Sequence, residues 1–191
     1  MRKIIATEYV TIDGVFEDPG GGDKTKYGGW SFAFWSESAG KFKFDELFAA
    51  DALLLGRVTY EGFAKAWPAM KDEKGFADRM NSIPKYVVSQ SLEKPEWNNS
   101  HVVKDNVTEE IAKLKDQSGK DILVAGSATL LETLMKADLV DEYRLMVHPV
   151  VLGGGRKLFK EGIEKKALQL IGTKTLEKGI VILSYTPLKN N

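Results

Sequence analysis

From Asp121 to Lys136 the chain reads Asp-Ile-Leu-Val-Ala-Gly-Ser-Ala-Thr-Leu-Leu-Glu-Thr-Leu-Met-Lys. This stretch restricts the fold more than any other. Ile122 to Ala125 form an apolar run of strand length. Gly126 permits a sharp turn and a close backbone approach. Thr129 and Glu132 match the capping-box pattern ahead of Leu130, Leu131 and Leu134, so a helix is expected over 129–136. A strand that turns through glycine into a helix start presents unpaired N–H groups, which suits an anion. A plain capped helix after a strand is the alternative, and the segment alone does not separate the two.

The same alternation recurs along the chain. Strands are expected at Lys3–Val10, Ala52–Leu55, Tyr86–Ser89, His101–Val103, 122–125 and Glu142–Val147. Helices are expected around Phe42, Leu47 and Phe48, over Thr59–Trp67, and from Thr108 to near Gly119, with Glu109 and Glu110 in its first turn. Asp72–Asn81 reads as helix or loop, and residues 11–36 read as one long loop of the functional kind. Leu168–Leu176 and Ile180–Tyr185 pair around Lys178-Gly179. This order predicts a three-layer α/β fold: a mixed, mostly parallel twisted sheet, helices on both faces, and an antiparallel C-terminal edge pair. The 191 residues are read as one domain, 1–191.

Charge and composition exclude several classes. Lys plus Arg and Asp plus Glu are each 27, without the basic stripe of a nucleic-acid binder. There is no cysteine, hence no disulfide or thiolate metal site, and the two histidines, His101 and His148, have no second ligand pattern near them. After Met1-Arg2-Lys3 the apolar stretch is broken by Glu8 and Asp13, so neither a signal peptide nor a membrane span is expected. A cytoplasmic protein without membrane or nucleic-acid partners is the expectation.

Three strand ends carry anion-compatible residues. In Leu54-Leu55-Gly56-Arg57-Val58-Thr59, Gly56 permits close approach, Arg57 offers a guanidinium fork and Thr59 can cap the next helix. Val87-Val88 runs into Ser89 and Ser91, whose hydroxyls suit a ribose or phosphate. Gly126 to Thr129 is the third. In open α/β sheets ligands sit at the carboxyl ends of strands, so three such ends favour a dinucleotide. No Gly-x-Gly-x-x-Gly joins a strand to a helix; Gly153-Gly154-Gly155 precedes Arg156-Lys157 instead.

Ile4-Ile5-Ala6-Thr7 to Thr11-Ile12-Asp13-Gly14, Leu53 to Glu61, Tyr86 to Ser91, Ile122 to Leu130 and His148 to Gly155 occur in an order that resembles the dihydrofolate-reductase-like superfamily. Within it, the chain is most similar to the reductase domain of riboflavin biosynthesis, the C-terminal half of the bifunctional deaminase-reductase. The resemblance implies NADPH as hydride donor and a small pterin-like or aminopyrimidine-like substrate such as 5-amino-6-(5-phosphoribosylamino)uracil. It implies cofactor phosphates at Gly56, Arg57 and Thr59, an adenosine 2′-phosphate near Ser89 and Ser91, and the pyrophosphate under Gly126, Ser127, Ala128, Thr129 and Leu130. The Thr11–Gly14 turn is then expected to edge the nicotinamide.

The chain departs from folate reductases where their first helix carries a carboxylate. That position falls near Gly40, with Glu37 and Asp45 as the neighbouring acids, and folate reduction is therefore disfavoured. A non-catalytic nucleotide-binding protein is the other alternative. Asp13 is a turn residue or a catalytic group beside the nicotinamide. Trp30 and Trp35 wall a flat substrate pocket or pack a satellite core. Arg156 and Lys157 are possible anchors for a substrate phosphate. A homodimer is expected, with Ile180-Val181-Ile182-Leu183 as a sheet edge needing cover.

Overall fold

The computed structural model describes residues 1–188. The strands are β1 (Ile4–Thr11), β2 (Ala50–Gly56), β3 (Lys85–Val88), β4 (Ser100–Val103), β5 (Asp121–Val124), β6 (Glu142–His148), β7 (Leu168–Thr175) and β8 (Val181–Pro187). The helices are α1 (Glu37–Ala49), α2 (Arg57–Ala66), α3 (Phe76–Ser82), α4 (Val107–Asp116) and α5 (Ala128–Lys136). One eight-stranded sheet has the order β4-β3-β2-β5-β1-β6-β8-β7. From β4 to β6 all neighbours are parallel, and only β8 runs against the rest.

The apolar runs are continuous because parallel strands are covered on both faces. Ala52 and Leu54 of β2 pack with Ile4 and Ala6 of β1 against Ile111 and Leu114 of α4 and Leu130, Leu131 and Leu134 of α5. Leu53 and Leu55 point the other way, with Ile5, onto Leu47 of α1, Tyr60 of α2 and Met80 of α3. The three-layer prediction therefore holds.

Three readings change. The segment 180–183 is not an edge, since β8 lies between β6 and β7; the outer strand is β7, where Leu170 and Ile171 are half exposed. The two-residue alternation of β8 would suit either place, so local pattern did not distinguish them. The loop 11–36 contains a 3-10 turn at Phe32–Phe34 and is pinned by a bridge between Val15 and Lys157. Asp72–Asn81 resolves into α3, with the Asp72 carboxylate accepting from the N–H groups of Phe76 (3.0 Å) and Ala77 (2.6 Å).

Lys85 is the one cation with no exposed surface among the described residues. Its Nζ donates to the carbonyls of Asn81 (2.8 Å), Ile83 (2.9 Å) and Asn98 (3.0 Å), and lies 4.1 Å from the Trp97 ring centroid. These bonds join the end of α3 to the crossover into β4. Burial pulls its pKa down to about 8, leaving it mostly charged at neutral pH. Lys85→Met keeps the bulk but leaves the carbonyls without a donor. We expect a loss of about 2–3 kcal/mol of unfolding free energy, read as a lower urea midpoint at unchanged slope.

Candidate functional site

β2 and β5 are parallel neighbours, with Leu54 paired to Val124, so they end at the same edge of the sheet. Each runs at once into a helix. α2 follows Gly56 directly and α5 follows Ser127, and neither start carries a side-chain cap. The capping assignments are corrected accordingly: Thr129 and Thr59 both lie inside their helices. Gly126 and Ser127 have φ of 62° and 63°, and these two left-handed residues bring the helix start forward. The N–H groups of both first turns thus come free side by side, a ready seat for an anion.

Ser127 joins the two starts. Its hydroxyl accepts from the Gly56 N–H (2.8 Å) and donates to Thr59 Oγ1 (2.8 Å). Both glycines are required by this closeness. A Cβ on Gly126 would stand 2.8 Å from Thr59 Oγ1, and one on Gly56 would stand 2.9 Å from Ser127 Oγ. The structure thus brings Gly56, Thr59, Gly126, Ser127 and the first turn of α5 (Ala128, Thr129, Leu130) into one cradle. A pyrophosphate fits such a donor set.

The other expected phosphate contacts are engaged differently. Arg57 Nη1 donates to Glu61 Oε1 (2.9 Å) and Oε2 (2.8 Å) in a half-exposed pair one helical turn long. Such pairs are weak, roughly 0.3–0.5 kcal/mol, and readily exchanged for a phosphate. Ser89 Oγ accepts from the N–H groups of Ser91 (3.2 Å) and Leu92 (2.9 Å), so its lone pairs shape the turn while its O–H remains a donor. Ser91 itself is exposed.

At the end of β1, Asp13 is a brace. It accepts from Thr11 Oγ1 (2.6 Å) and from the N–H groups of Leu152 (3.3 Å) and Gly153 (2.9 Å). The Thr11 hydroxyl and then the Gly153 N–H hold its pKa below the usual value, so it is an anion at neutral pH and poorly suited to give up a proton. It ties the Thr11–Gly14 turn, where Gly14 has φ of 80°, to the glycine run. Arg156 is likewise committed, its Nε donating to Glu17 Oε1 (2.6 Å), and Lys157 stands in the bridge to Val15.

The two tryptophans do not share a wall. Trp30 is buried, donates from Nε1 to the Glu17 carbonyl (2.8 Å), and meets His148 edge-on at 5.0 Å. Tyr9 (5.1 Å) and Phe34 (5.9 Å) complete the ring of aromatics around His148, which burial holds neutral. Trp35 is exposed instead and lies over α1, where a Cβ on Gly40 would meet its ring at 3.0 Å. The position of the absent carboxylate is thus covered by an indole. Asp45 pairs outward with Lys41, and Glu37 opens α1.

Sequence reasoning missed two groups. Glu46 of α1 accepts from Thr7 Oγ1 (2.9 Å) and Lys43 Nζ (2.7 Å), and Arg144 Nη1 of β6 reaches its other oxygen at 3.3 Å. This buried network pins α1 to β1 and β6. The second group is Glu8, 2 % exposed, whose Oε2 accepts the Gly126 N–H at 2.9 Å while Oε1 has no protein partner. Burial pushes its pKa well above the usual carboxylate value; the Gly126 N–H and Lys43 only partly oppose this, and Glu46 adds to it. An acid inside a strand with Ala6 and Val10 two positions away on the same face was the available signal.

Comparison with known proteins follows the same lines. Residues 2–182 match the model of the family described as RibD C-terminal domain. The uncharacterized protein YyaP of Bacillus subtilis (strain 168) is 34 % identical over 187 residues, covering 96 % of this chain and 94 % of its own. A putative riboflavin biosynthesis protein from Shewanella sp. PV-4 superposes with a TM-score of 0.77 at 20 % identity, over 99 % of this chain and 100 % of that one. Dihydrofolate reductase from Enterococcus faecalis, complexed with NADP(H) and RAB-propyl, superposes with a TM-score of 0.61 at 15 % identity, over 98 % and 97 % of the two chains. The dihydrofolate-reductase-like fold expected from the sequence is therefore the fold of this chain.

The Glu8 carboxyl has a consequence for stability. Its folded pKa lies above the unfolded value near 4.5, so over the window between them the native state holds a proton that the unfolded chain has released. Unfolding free energy then falls as pH rises through that window. Glu8→Gln has no such proton. Its stability relative to wild type should be nearly constant below about pH 4 and should improve as pH rises above that. Thermal melts of both proteins across pH check this.

Proposed function

The chain belongs to the RibD C-terminal domain family, and from that premise we propose that it is a cytoplasmic NADPH-dependent reductase acting on a small pterin-like or aminopyrimidine-like ring. The observation that carries the reading is the shared cradle: two uncapped helix starts held together through Ser127, with a glycine on each strand end. Gly56, Gly126 and the first turn of α5 would hold the pyrophosphate. Arg57 would leave Glu61 for the 2′-phosphate, with the Ser89 and Ser91 hydroxyls as further donors. When bound, the cofactor supplies the hydride.

The chain's own part is alignment. Thr11 is buried, with its hydroxyl accepting the Val15 N–H (2.9 Å), and Asp13 clamps the following turn to the glycine run. The edge against which the nicotinamide is read to lie is thereby rigid, as a hydride donor aimed at one carbon requires. Asp13 acts as a positioning residue in this reading, not as the acid. The exposed rings of Phe32 and Trp35 offer flat surface for a heterocycle. Gly40 beneath Trp35, with Glu46 already bonded to Lys43 and Thr7, disfavours the folate reductase alternative, because no free carboxylate of α1 faces the sheet among the described residues.

The test is spectroscopic: NADPH oxidation over a panel of aminopyrimidines, pterins and dihydrofolate. Turnover of an aminopyrimidine or pterin with little on dihydrofolate is the expected result. NADPH binding without turnover of any substrate would instead support the non-catalytic alternative. Wild type should prefer NADPH to NADH, and Arg57→Ala should weaken NADPH binding about tenfold, roughly one charge-assisted hydrogen bond, while leaving NADH nearly unchanged. Fluorescence titration measures both.

We also propose a homodimer, formed through β7 rather than β8. β7 leaves one row of backbone groups open and shows Leu170 and Ile171 half exposed. Light scattering should give twice the 21.2 kDa chain mass at micromolar concentration, and charged residues at both positions should return the monomer.

A further inference from the structure

Glu8 takes no part in the alignment described above, yet its carboxyl is bonded to the cradle itself. Oε2 accepts the Gly126 N–H at 2.9 Å, while Oε1 is buried and without a protein partner. Beside it, two helix starts present free N–H groups, and the Thr59 and Ser127 hydroxyls are already bonded to each other. A phosphate seated there brings oxygens that only accept. A carboxylate also only accepts, so the two oppose each other unless the carboxyl keeps its proton.

We propose that Glu8 serves the cradle as a neutral acid, holding the Gly126 N–H without setting a second anion beside the bound phosphate, so that anion binding and retention of this proton are coupled. The proposal rests on the reading of the cradle as the pyrophosphate seat. The surroundings favour it. Glu8 pairs in register with Leu145 of β6, its next strand neighbour is the Gly126 turn, and the α5 leucines share the cluster of Ala6 and Val10 on its face of β1. The charged groups that act on it are Lys43 and Glu46 of α1, and these are bonded to each other at 2.7 Å. Burial without a dedicated cation already disfavours the ionised form, and a bound phosphate disfavours it further.

Glu8→Gln is the neutral counterpart: its amide oxygen can accept from Gly126. Glu8→Leu keeps the bulk and loses the acceptor. NADPH affinity is titrated for the three proteins from about pH 6 to pH 9, with melting curves to establish folding. Wild-type affinity should fall by up to tenfold per pH unit once the free carboxyl ionises, and Glu8→Gln should lack that fall. Glu8→Leu should bind at least about tenfold more weakly than Glu8→Gln at neutral pH. Calorimetry in two buffers of different ionisation heat should show more proton uptake by wild type than by Glu8→Gln at the alkaline end. Parallel pH profiles for wild type and Glu8→Gln overturn the coupling while leaving the cofactor reading intact. Equal binding by Glu8→Gln and a folded Glu8→Leu overturns the role of the bond to Gly126. Should Glu8→Leu not fold, the wild type and Glu8→Gln profiles decide. Failure of all three proteins to bind NADPH overturns the cofactor reading and this proposal together.

Discussion

Two parallel strands lying side by side must end at the same edge, and on that constraint the rest of the site depends. β2 and β5 are such neighbours, so α2 and α5 start together although their caps, Gly56 and Ser127, are 71 positions apart in the chain. Their dipoles then point the same pole at one spot, an arrangement that is repulsive in isolation. Polar groups relieve it only partly: the Ser127 hydroxyl spans the gap, and a Glu8 oxygen takes one N–H. The first turns keep donors free.

The opposite side of β1 handles charge differently. There Glu46, Lys43 and Arg144 neutralise one another around Thr7 and fasten α1 to the sheet. Breaking one member of such a buried set leaves the others without compensation, which makes it a fastening sensitive to substitution. Glu8, one residue along the same strand, has only a backbone N–H as partner. Two acids adjacent in space but on opposite faces of a strand thus have contrasting settings. One is closed by cations and the other has an oxygen left open.

Much of this fold was legible in the sequence because parallel strands are buried on both faces and so appear as short continuous apolar runs, as in Leu53-Leu54-Leu55 and Ile122-Leu123-Val124. The order of strands was less so. β8 reads as an edge by composition, and only its pairing with both β6 and β7 puts it inside. The cradle glycines were recognisable from strand ends, but the helix start was not: Thr129 and Glu132 have capping spacing, and nothing local signals that Ser127 adopts positive φ. That conformation depends on bonds to Gly56 and Thr59, which are remote in sequence. Asp13 was correctly placed in a turn, while its function as a brace required the glycine run from the far end of β6.

The indole of Trp35 over Gly40 has a bearing on substitution. Any side chain introduced at position 40 first meets that ring, and any loss of the ring first bares a glycine in the first turn of α1, where flexibility disfavours the helix. The two positions therefore share one space, and a change at either alters the setting of the other. A carboxylate gained at position 40 would have to push the exposed Trp35 ring aside before it could face the sheet.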